Sequence, residues 1–375
     1  VKRARQLLAA MTLEDKVQQM SGPAYNPNNM FDQEDNERLN VPGHKFMDGP
    51  RGVRWYNSDY GTTVFPVAAA RAASWNLELE EKIGKVMADE MRYLGRHVLL
   101  APTVNQVMHP RWGRAQETYG EDSFLLGEMG AAFVRGAQAE PGDGGYRIQA
   151  CVKHFAANNI EDTRIFVNAV LDERTLREVY LPHFQKSVDA GVACVMSSYN
   201  RVNGDYAGFS SKLLRQILKT EWGYQGYVIS DWFAKGQTVP SAAAGLDVEL
   251  PFSSGPFPEI FDSQYFYGSA LVTAVNDGKV SADVVDEAAF RILHTKAKFG
   301  VLDADLQFKP EKTKSMDAQK LALQAAREGM VLLKNGPKRE LTDDVLPLDD
   351  ATVKKIAVVG LFANLQNTGD KGSSE

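Results

Sequence analysis

The sequence predicts an α/β protein, with a (β/α)8 TIM-type barrel followed by the start of a second α/β domain. One observation is a series of short apolar runs without strict alternation, which indicates strands buried on both faces of a parallel sheet. The other is the helical pattern between successive runs. These units repeat over about 300 residues, which favours a barrel over an open doubly wound sheet. The periodicity alone does not exclude the open sheet.

The helices are predicted from apolar spacing and from the capping residues at their first turns. Thr12 caps a helix that runs through Met20, with Asp15 in its first turn. Asn76 caps another helix, which Gly95 ends. Further helical patterns cover residues 123–138, 173–189, 211–221 and 281–298.

The strands are predicted from short apolar runs. They cover Phe46–Met47 and residues 97–100, 149–152, 193–197, 227–230 and 246–250.

The pattern changes after Gly300, so we divide the chain there. Residues 1–300 are predicted as the barrel, and residues 301–350 as a linker with one helix, which Ser315 begins and Gly336 ends. Residues 351–375 are predicted to hold the first strand of an incomplete α/β domain, at Lys354–Gly360. One strand cannot bury itself, so we expect the rest of that domain beyond Glu375 or on another chain.

Composition excludes several classes of protein. Lys and Arg number 42 and Asp and Glu 48, so the net charge of −6 argues against a nucleic-acid partner. No apolar run is long enough for a membrane span. The two cysteines, Cys151 and Cys194, lie in apolar runs and are predicted as buried free thiols. No signal-peptide pattern opens the sequence as given, which leaves the compartment open, with a secreted or periplasmic location favoured.

Polar side chains follow the predicted strands, at the edge where barrel enzymes place catalytic groups. Val152 leads into Lys153 and His154, and Ser230 leads into Asp231. Three more junctions carry Asp-Gly-Pro-Arg at 48–51, His-Pro-Arg-Trp-Gly-Arg at 109–114 and Ser-Ser-Tyr-Asn at 197–200. If these junctions share one face, that face holds carboxylates, cations, amides and aromatic rings together.

This mixture of side chains indicates a polyhydroxylated ligand, because it supplies both donors and acceptors and an aromatic face for C–H groups. A phosphate site is disfavoured, since Gly142–Gly145 precedes a strand-like segment and is typical of a plain turn. A metal site is disfavoured because the six histidines show no HxxxH or HxH spacing. His183 and His294 lie inside helical patterns and are predicted to be structural.

Seven short motifs occur in a fixed order along the chain. They are residues 48–54 (DGPRGVR), 110–122 (PRWGR, then Glu117 and YGED), 153–159 (KHFAANN), 196–200 (MSSYN), 230–232 (SDW), 245–251 (GLDVELP) and 331–335 (VLLKN). Together, and in this order, they resemble the motifs of glycoside hydrolase family 3, the β-glucosidase-like group.

The resemblance implies a barrel followed by an α/β sandwich domain. It also implies a retaining, exo-acting hydrolase that releases terminal β-D-glucose, with Asp231 attacking the anomeric carbon. The sugar-binding residues that it implies are Asp48, Arg114, Lys153 and His154, with Arg164 as a less central member and with Met196, Tyr199 and Trp232 as pocket walls. We expect nearby cations to hold the pKa of Asp231 down.

Retaining chemistry needs a second carboxyl group as general acid/base. The resemblance implies that this Glu belongs to a later part of the same protein, beyond Glu375. Glu117, Glu121 and Glu249 are poor substitutes for this acid/base. Glu117 is predicted to pair with an Arg and brace its loop, and Glu249 is predicted to support the barrel rim. The expected partner is a β-glucoside or oligosaccharide, with no metal or organic cofactor and no membrane; a homodimer is left open.

Each candidate also has a structural interpretation: Asp231 as a helix N-cap, Asp48 as a turn former, Lys153 and His154 as a solvated pair, and Trp232 and Met196 as core. Arg111 is predicted to be structural. The alternative functions are a β-xylosidase or exo-glucanase of the same family, and a non-catalytic carbohydrate-binding module.

Overall fold

A computed structural model of the chain describes residues 1–22, 31–54, 60–250, 266–336, 345–365 and 373. Parts of the predicted linker (337–344), the Gly/Ser-rich end of the chain and Pro251 of one motif lie outside these ranges. The α-helices are α1 Lys2–Ala10, α2 Leu13–Met20, α3 Ala68–Ala72, α4 Leu77–Tyr93, α5 Ser123–Ala137, α6 Glu173–Thr175, α7 Pro182–Asp189, α8 Thr238–Ala244, α9 Ser269–Asn276, α10 Ala282–Lys298 and α11 Met316–Glu328.

Within the described residues, eight short strands form two sheets. They are β1 Phe46–Asp48, β2 Val98–Leu100, β3 Gln149–Phe155, β4 Asn168–Ala169, β5 Cys194–Ser197, β6 Arg201–Val202, β7 Asp205–Tyr206 and β8 Tyr227–Ile229. The central sheet has the order β1-β2-β3-β5-β8, and every neighbouring pair is parallel. A small second sheet has the order β4-β6-β7. All residues of β2, β3, β5 and β8 are buried, as their apolar runs predicted.

A closed eight-stranded barrel is not present in the described part of the chain, so the structure confirms the parallel α/β sheet but not its closure. The predicted strand at residues 246–250 makes only isolated parallel bridges, from Val248 to Ile229 and from Glu249 to Ser21. The reason is that the Ser230 side chain, and not its backbone, forms the hydrogen bonds to Leu250. The Ser230 hydroxyl accepts from the Leu250 N–H at 2.8 Å and donates to the Leu250 carbonyl at 3.2 Å.

The predicted helix starts are confirmed. The Thr12 hydroxyl accepts from Asp15 N while the Asp15 carboxylate accepts from Thr12 N, a complete capping box. The Asn76 side chain accepts from Leu79 N at 3.0 Å. Gly95, with φ of +66°, follows the end of α4 in the left-handed region that glycine tolerates best.

Three predicted helices differ in the structure. The helix predicted over 173–189 is interrupted by a π-helical segment, Leu176–Tyr180, and restarts at Pro182, whose ring nitrogen cannot donate to the preceding turn. The segment predicted over 211–221 is π-helical over Lys212–Glu221. The helix predicted to end at Gly336 ends at Glu328 and is followed by Gly329, where an added Cβ atom would lie 2.4 Å from the carbonyl oxygen of Ala70.

Residues 353–360 are exposed and pair with no strand in the ranges that the structure covers. The first strand of a second domain at Lys354–Gly360 therefore stays a prediction.

Helices α4 and α5 pack with their backbones in close approach beside the sheet. A Cβ atom added to Gly84 would lie 2.6 Å from the carbonyl oxygen of Phe133 and 3.0 Å from Ala137 N. Apolar faces of both helices join the main core, through Ile83 and Met87 on one side and Leu126 and Met129 on the other. This packing supports the outer face of the strands whose carboxyl ends carry the polar junctions.

Cys151 on β3 and Cys194 on β5 are register partners, and their Sγ atoms form a disulfide with Cα atoms 4.2 Å apart. Their burial is confirmed, but the prediction of two free thiols is wrong. Pairing of the two parallel strands places the side chains side by side, and the separation of 43 residues in the sequence does not show this.

None of the helices in the described ranges combines the length and the apolar character needed to cross a lipid bilayer.

Candidate active site

Asp231 lies two residues after β8, at the carboxyl edge of the central sheet, and its carboxylate is buried. Oδ1 accepts from Trp232 N at 2.7 Å. Oδ2 has no hydrogen-bond partner in the part of the chain that the structure covers, and it lies 3.6 Å from His154 Nε2. Burial raises the pKa of the Tyr199 hydroxyl well above its ordinary value, and the Asp231 carboxylate raises it further, so Tyr199 lies beside this carboxylate. The edge of the sheet therefore presents a buried carboxylate with His154 and Tyr199 next to it.

Burial raises the pKa of Asp231 above its ordinary value, against the opposing charges of Arg114, Arg164 and Lys153. The expectation that cations hold this pKa down is therefore wrong in its net direction. The three cations do lower it, but removal of the carboxylate from water outweighs them.

Lys153 and His154 lie on β3, whose residues are all buried, so they are not a solvated surface pair. Lys153 Nζ donates to Asp48 Oδ1 at 3.2 Å, which joins the ends of β1 and β3. Burial lowers the pKa of His154 well below its ordinary value, and Arg114, Lys153 and Arg164 lower it further, so the imidazole is neutral. The structure thus brings Asp48, Lys153, His154 and Asp231 together along one edge.

Arg114 and Glu117 form a bidentate ion pair, with Nε–Oε1 at 3.0 Å and Nη2–Oε2 at 2.8 Å. This confirms the bracing role predicted for Glu117. Burial raises the pKa of Glu117, but Arg114 and Lys153 outweigh burial, and the net pKa is lowered. The Ser373 hydroxyl joins this pair: it donates to Glu117 Oε1 at 3.0 Å and accepts from Arg114 Nη2 at 3.3 Å.

Arg164 is held by two contacts. Its Nη1 donates to Glu161 Oε1 at 2.8 Å, and its guanidinium carbon lies 4.5 Å from the centre of the Tyr199 ring. The Tyr199 hydroxyl donates to the carbonyl of Trp232 at 2.7 Å, so the chain around Asp231 is tied to the loop after β5.

The aromatic and apolar walls are buried. The Trp232 ring packs 5.2 Å from Phe31 and 5.8 Å from Phe46, centre to centre, so one side of it belongs to the core. Met196 lies on β5 with its register partner Ile229 on β8, one residue before Ser230. The role of Met196 as a wall of the pocket stays a prediction.

Three other residues, Glu249, His183 and His294, lie in the structural positions that we expected. Glu249 accepts from the N–H groups of Phe266 at 3.1 Å and Tyr267 at 2.8 Å. His183 and His294 lie inside helices α7 and α10. Arg111 is exposed. The described ranges contain no group of three His, Cys, Asp or Glu side chains that could hold a metal ion.

The sequence analysis missed Asn105, whose side chain contacts both the backbone and the ring of His154. It also missed Glu161, whose carboxylate pairs with Arg164 in the same motif region. Its position was a signal that could have identified Asn105. The residue follows β2 closely, and β2 lies between β1 and β3, which both carry site residues near their carboxyl ends.

The fold and this cluster define an α/β protein with buried charged side chains at the carboxyl edge of a parallel sheet. The profile described as "Glycosyl hydrolase family 3 N terminal domain" matches residues 10–295. The chain therefore belongs to glycosyl hydrolase family 3.

Relatives of known name support this assignment. A beta-glucosidase of Rhizobium radiobacter is 38% identical over 94% of this chain and 40% of its own length. Thermostable beta-glucosidase B of Acetivibrio thermocellus is 36% identical over 99% of this chain and 46% of its own length. The structure of beta-glucosidase 3B of Thermotoga neapolitana in complex with α-D-glucose superposes with a TM-score of 0.86 and 33% identity, over 99% of this chain and 52% of that one. The chain thus spans about half the length of the relatives it matches.

Proposed function

We propose that the chain is the nucleophile-bearing part of a retaining, exo-acting β-glucosidase, which releases terminal β-D-glucose through a covalent glycosyl-enzyme. The observation that supports this most is the buried Oδ2 of Asp231, which has no partner among the described residues although Arg114, Arg164 and Lys153 act on its charge. A buried polar atom without a partner is unfavourable and is typical of a group kept for reaction or binding.

In the proposed reaction, Asp231 Oδ2 forms a bond to the anomeric carbon as the bond from that carbon to the aglycone oxygen breaks. The aglycone oxygen takes a proton from a general acid. Water then attacks the anomeric carbon, gives up a proton to the same group, and restores the Asp231 carboxylate.

The neighbouring side chains suit a sugar in its transition state. Lys153 and Arg114 donate from charged groups, and Asp48 accepts with a charged group. The bond that a sugar hydroxyl donates to Asp48 strengthens as the ring takes up positive charge, because the hydroxyl becomes more acidic, whereas Lys153 and Arg114 hold hydroxyl oxygens in position. These interactions raise turnover only to the extent that they are stronger in the transition state than in the bound substrate.

The general acid/base is proposed to lie in a part of the protein beyond this chain. Among the nearby carboxylates, Glu117 is paired with Arg114 and Glu161 with Arg164. The contact of Ser373 with Arg114 and Glu117 supports this proposal, since chain that continues from Ser373 starts next to the site. Its carboxyl group is expected about 5–5.5 Å from that of Asp231.

We also propose that the sheet belongs to a closed (β/α)8 barrel. The bridges from Ile229 to Val248 and from Glu249 to Ser21 continue the parallel order of the five strands beyond β8. The likeness in fold to the Thermotoga enzyme is consistent with this extension.

The test uses the protein with its C-terminal remainder and a mechanism-based inactivator, an activated 2-deoxy-2-fluoro-β-glucoside. We expect a stable adduct on the peptide that carries Asp231, located by mass spectrometry. An adduct on another side chain, or none, would overturn the proposal.

A panel of aryl β-glycosides distinguishes the alternatives. Faster release from the glucoside supports the proposal, and faster release from the xyloside supports a β-xylosidase. Cleavage confined to longer glucans supports an exo-glucanase. Binding of glucosides without release from any of them would indicate a non-catalytic carbohydrate-binding module.

A further inference from the structure

Asn105 is fixed in place from several sides. It is 1% exposed, and it follows Val104, whose N–H donates to the carbonyl of Lys153 at 3.0 Å. Its own carbonyl accepts from the Thr118 hydroxyl at 2.6 Å. The backbone at this position is therefore held against β3, and the Asn105 side chain has little freedom.

Both ends of the Asn105 side-chain amide form hydrogen bonds with the backbone of His154. Nδ2 donates to the His154 carbonyl at 2.9 Å, and Oδ1 accepts from the His154 N–H at 2.7 Å. Because the backbone carbonyl can only accept and the backbone N–H can only donate, these two bonds determine which end of the amide is oxygen.

The same oxygen lies 3.1 Å from Nδ1 of the His154 ring. An amide oxygen carries no proton, so a hydrogen bond at this distance requires that Nδ1 carries one. The ring is neutral in its buried, cationic surroundings, and a neutral imidazole has one protonated nitrogen. Nε2, which lies 3.6 Å from Asp231 Oδ2, therefore has a free lone pair.

We propose that Asn105 is a positioning residue that holds His154 as the Nδ1–H tautomer, so that Nε2 accepts a hydrogen bond from a hydroxyl group of the bound sugar. The inference rests on the proposed function for the identity of the ligand, but not for the tautomer. Lys153 beside it can only donate, so two adjacent residues present opposite hydrogen-bonding characters to the sugar. An imidazole with the other tautomer would direct its N–H toward Asp231 and compete with the sugar for the nucleophile.

The first test is the ¹⁵N spectrum of the protein labelled at histidine, with His154→Gln used to assign the signals. We expect the Nε2 signal of His154 in the unprotonated range and the Nδ1 signal in the protonated range. A protonated Nε2 in the free protein would overturn the proposal.

Two variants separate positioning from a general packing role. Asn105→Asp keeps an acceptor for Nδ1–H and is expected to keep the tautomer, whereas Asn105→Leu has no acceptor and is expected to give a mixture of tautomers. The control is Asn159→Leu, which removes a buried asparagine that donates to the carbonyl of Gln106 at 2.6 Å and not to His154. We expect this control to leave the His154 signals unchanged; if it changes them as Asn105→Leu does, the specific role of Asn105 is refuted.

Addition of D-glucose tests the ligand separately. A shift of the His154 Nε2 signal toward the protonated range supports acceptance from a sugar hydroxyl. Binding of glucose is followed separately through saturation-transfer signals of the sugar. If glucose binds but leaves Nε2 unchanged, the acceptor role is overturned while the tautomer assignment and the proposed function stand; if glucose does not bind, the proposed function is overturned and the acceptor role with it. In kinetics, Asn105→Leu is expected to lower kcat/KM by about 10²-fold through misplacement of the ring. Asn105→Leu that does not fold leaves the wild-type spectrum as the deciding measurement.

Discussion

Two buried aspartates near β8 provide a sharp test of which one reacts. Asp231 and Asp247 are both almost fully buried, and burial raises the pKa of each. Both carboxylate oxygens of Asp247 accept a hydrogen bond. Oδ1 accepts from Lys219 Nζ at 2.7 Å, and Oδ2 accepts from Val228 N at 2.7 Å. Asp231 has one such bond and no Lys or Arg at ion-pair distance in the described ranges. The same substitution to Asn is therefore expected to have opposite effects at the two sites.

Asp247→Asn leaves the buried ammonium of Lys219 without its counter-charge. Breaking one side of a buried ion pair costs about 3 kcal/mol or more, so we expect a free energy of unfolding lower by that amount. Asp231→Asn removes a charge that burial disfavours and keeps an amide oxygen for Trp232 N. We expect its stability to change by less than about 1 kcal/mol, or to rise.

Activity is expected to follow the reverse order. Asp231→Asn removes the nucleophile and should lower kcat by about 10³-fold or more, which corresponds to about 4 kcal/mol of barrier. Asp247→Asn should lose activity only in proportion to its unfolded fraction. The assay is denaturant unfolding followed by circular dichroism, together with aryl β-glucoside hydrolysis by the protein with its C-terminal remainder. Near-normal turnover in Asp231→Asn, or an equal loss of stability in both variants, would refute the reasoning.

Three further predictions concern packing, pH and sugar binding. Gly84→Ala should destabilise the fold by about 1–3 kcal/mol, since its Cβ would meet the Phe133 carbonyl, whereas Gly142→Ala, with open space around it, should change the unfolding midpoint little. Burial lowers the pKa of His183 to about 3, so the unfolded chain binds the extra proton first as pH falls below about 6.5. Stability should therefore fall by about 2 kcal/mol between pH 6.5 and 5 through this residue, and unfolding curves of His183→Leu should lack that part of the slope. Lys153→Met should lower kcat/KM by about thirtyfold, because a charged donor to the sugar is worth about 2 kcal/mol; an unchanged kcat/KM would remove Lys153 from the site.

Local signals in the sequence were sufficient for most of the helices and for the central strands. Thr12 and Asn76 determine where helices begin through hydrogen bonds to their own next turn, so no tertiary information is needed. The position of Lys153, His154 and Asp231 after apolar runs was sufficient to place them at one edge, because parallel strands share the direction of their carboxyl ends.

The features that could not be predicted depend on contacts between distant segments. The last helix ends at Glu328 and not at Gly336, and the close contact of Gly329 with the carbonyl of Ala70 joins segments that are far apart in the sequence. Cys151 and Cys194 form a disulfide only because β3 and β5 are neighbours in register. Asn105 is an ordinary loop asparagine in the sequence, and its role arises from the backbone of β3 beside it.

The electrostatics of the site follow from how its cations are paired. Lys153 contacts Asp48, Arg114 contacts Glu117, and Arg164 contacts Glu161, so each cation is largely compensated by a carboxylate other than Asp231. Counting three cations near Asp231 therefore overstates the positive field there, and burial determines the direction of its pKa shift. A carboxylate stabilised less by its surroundings is more basic, and a more basic oxygen is the better nucleophile toward an anomeric carbon. The carboxylate of Asp48, which pairs with Lys153, is an anionic acceptor in the same cluster, and the bond that it accepts from a sugar hydroxyl strengthens when positive charge develops on the ring.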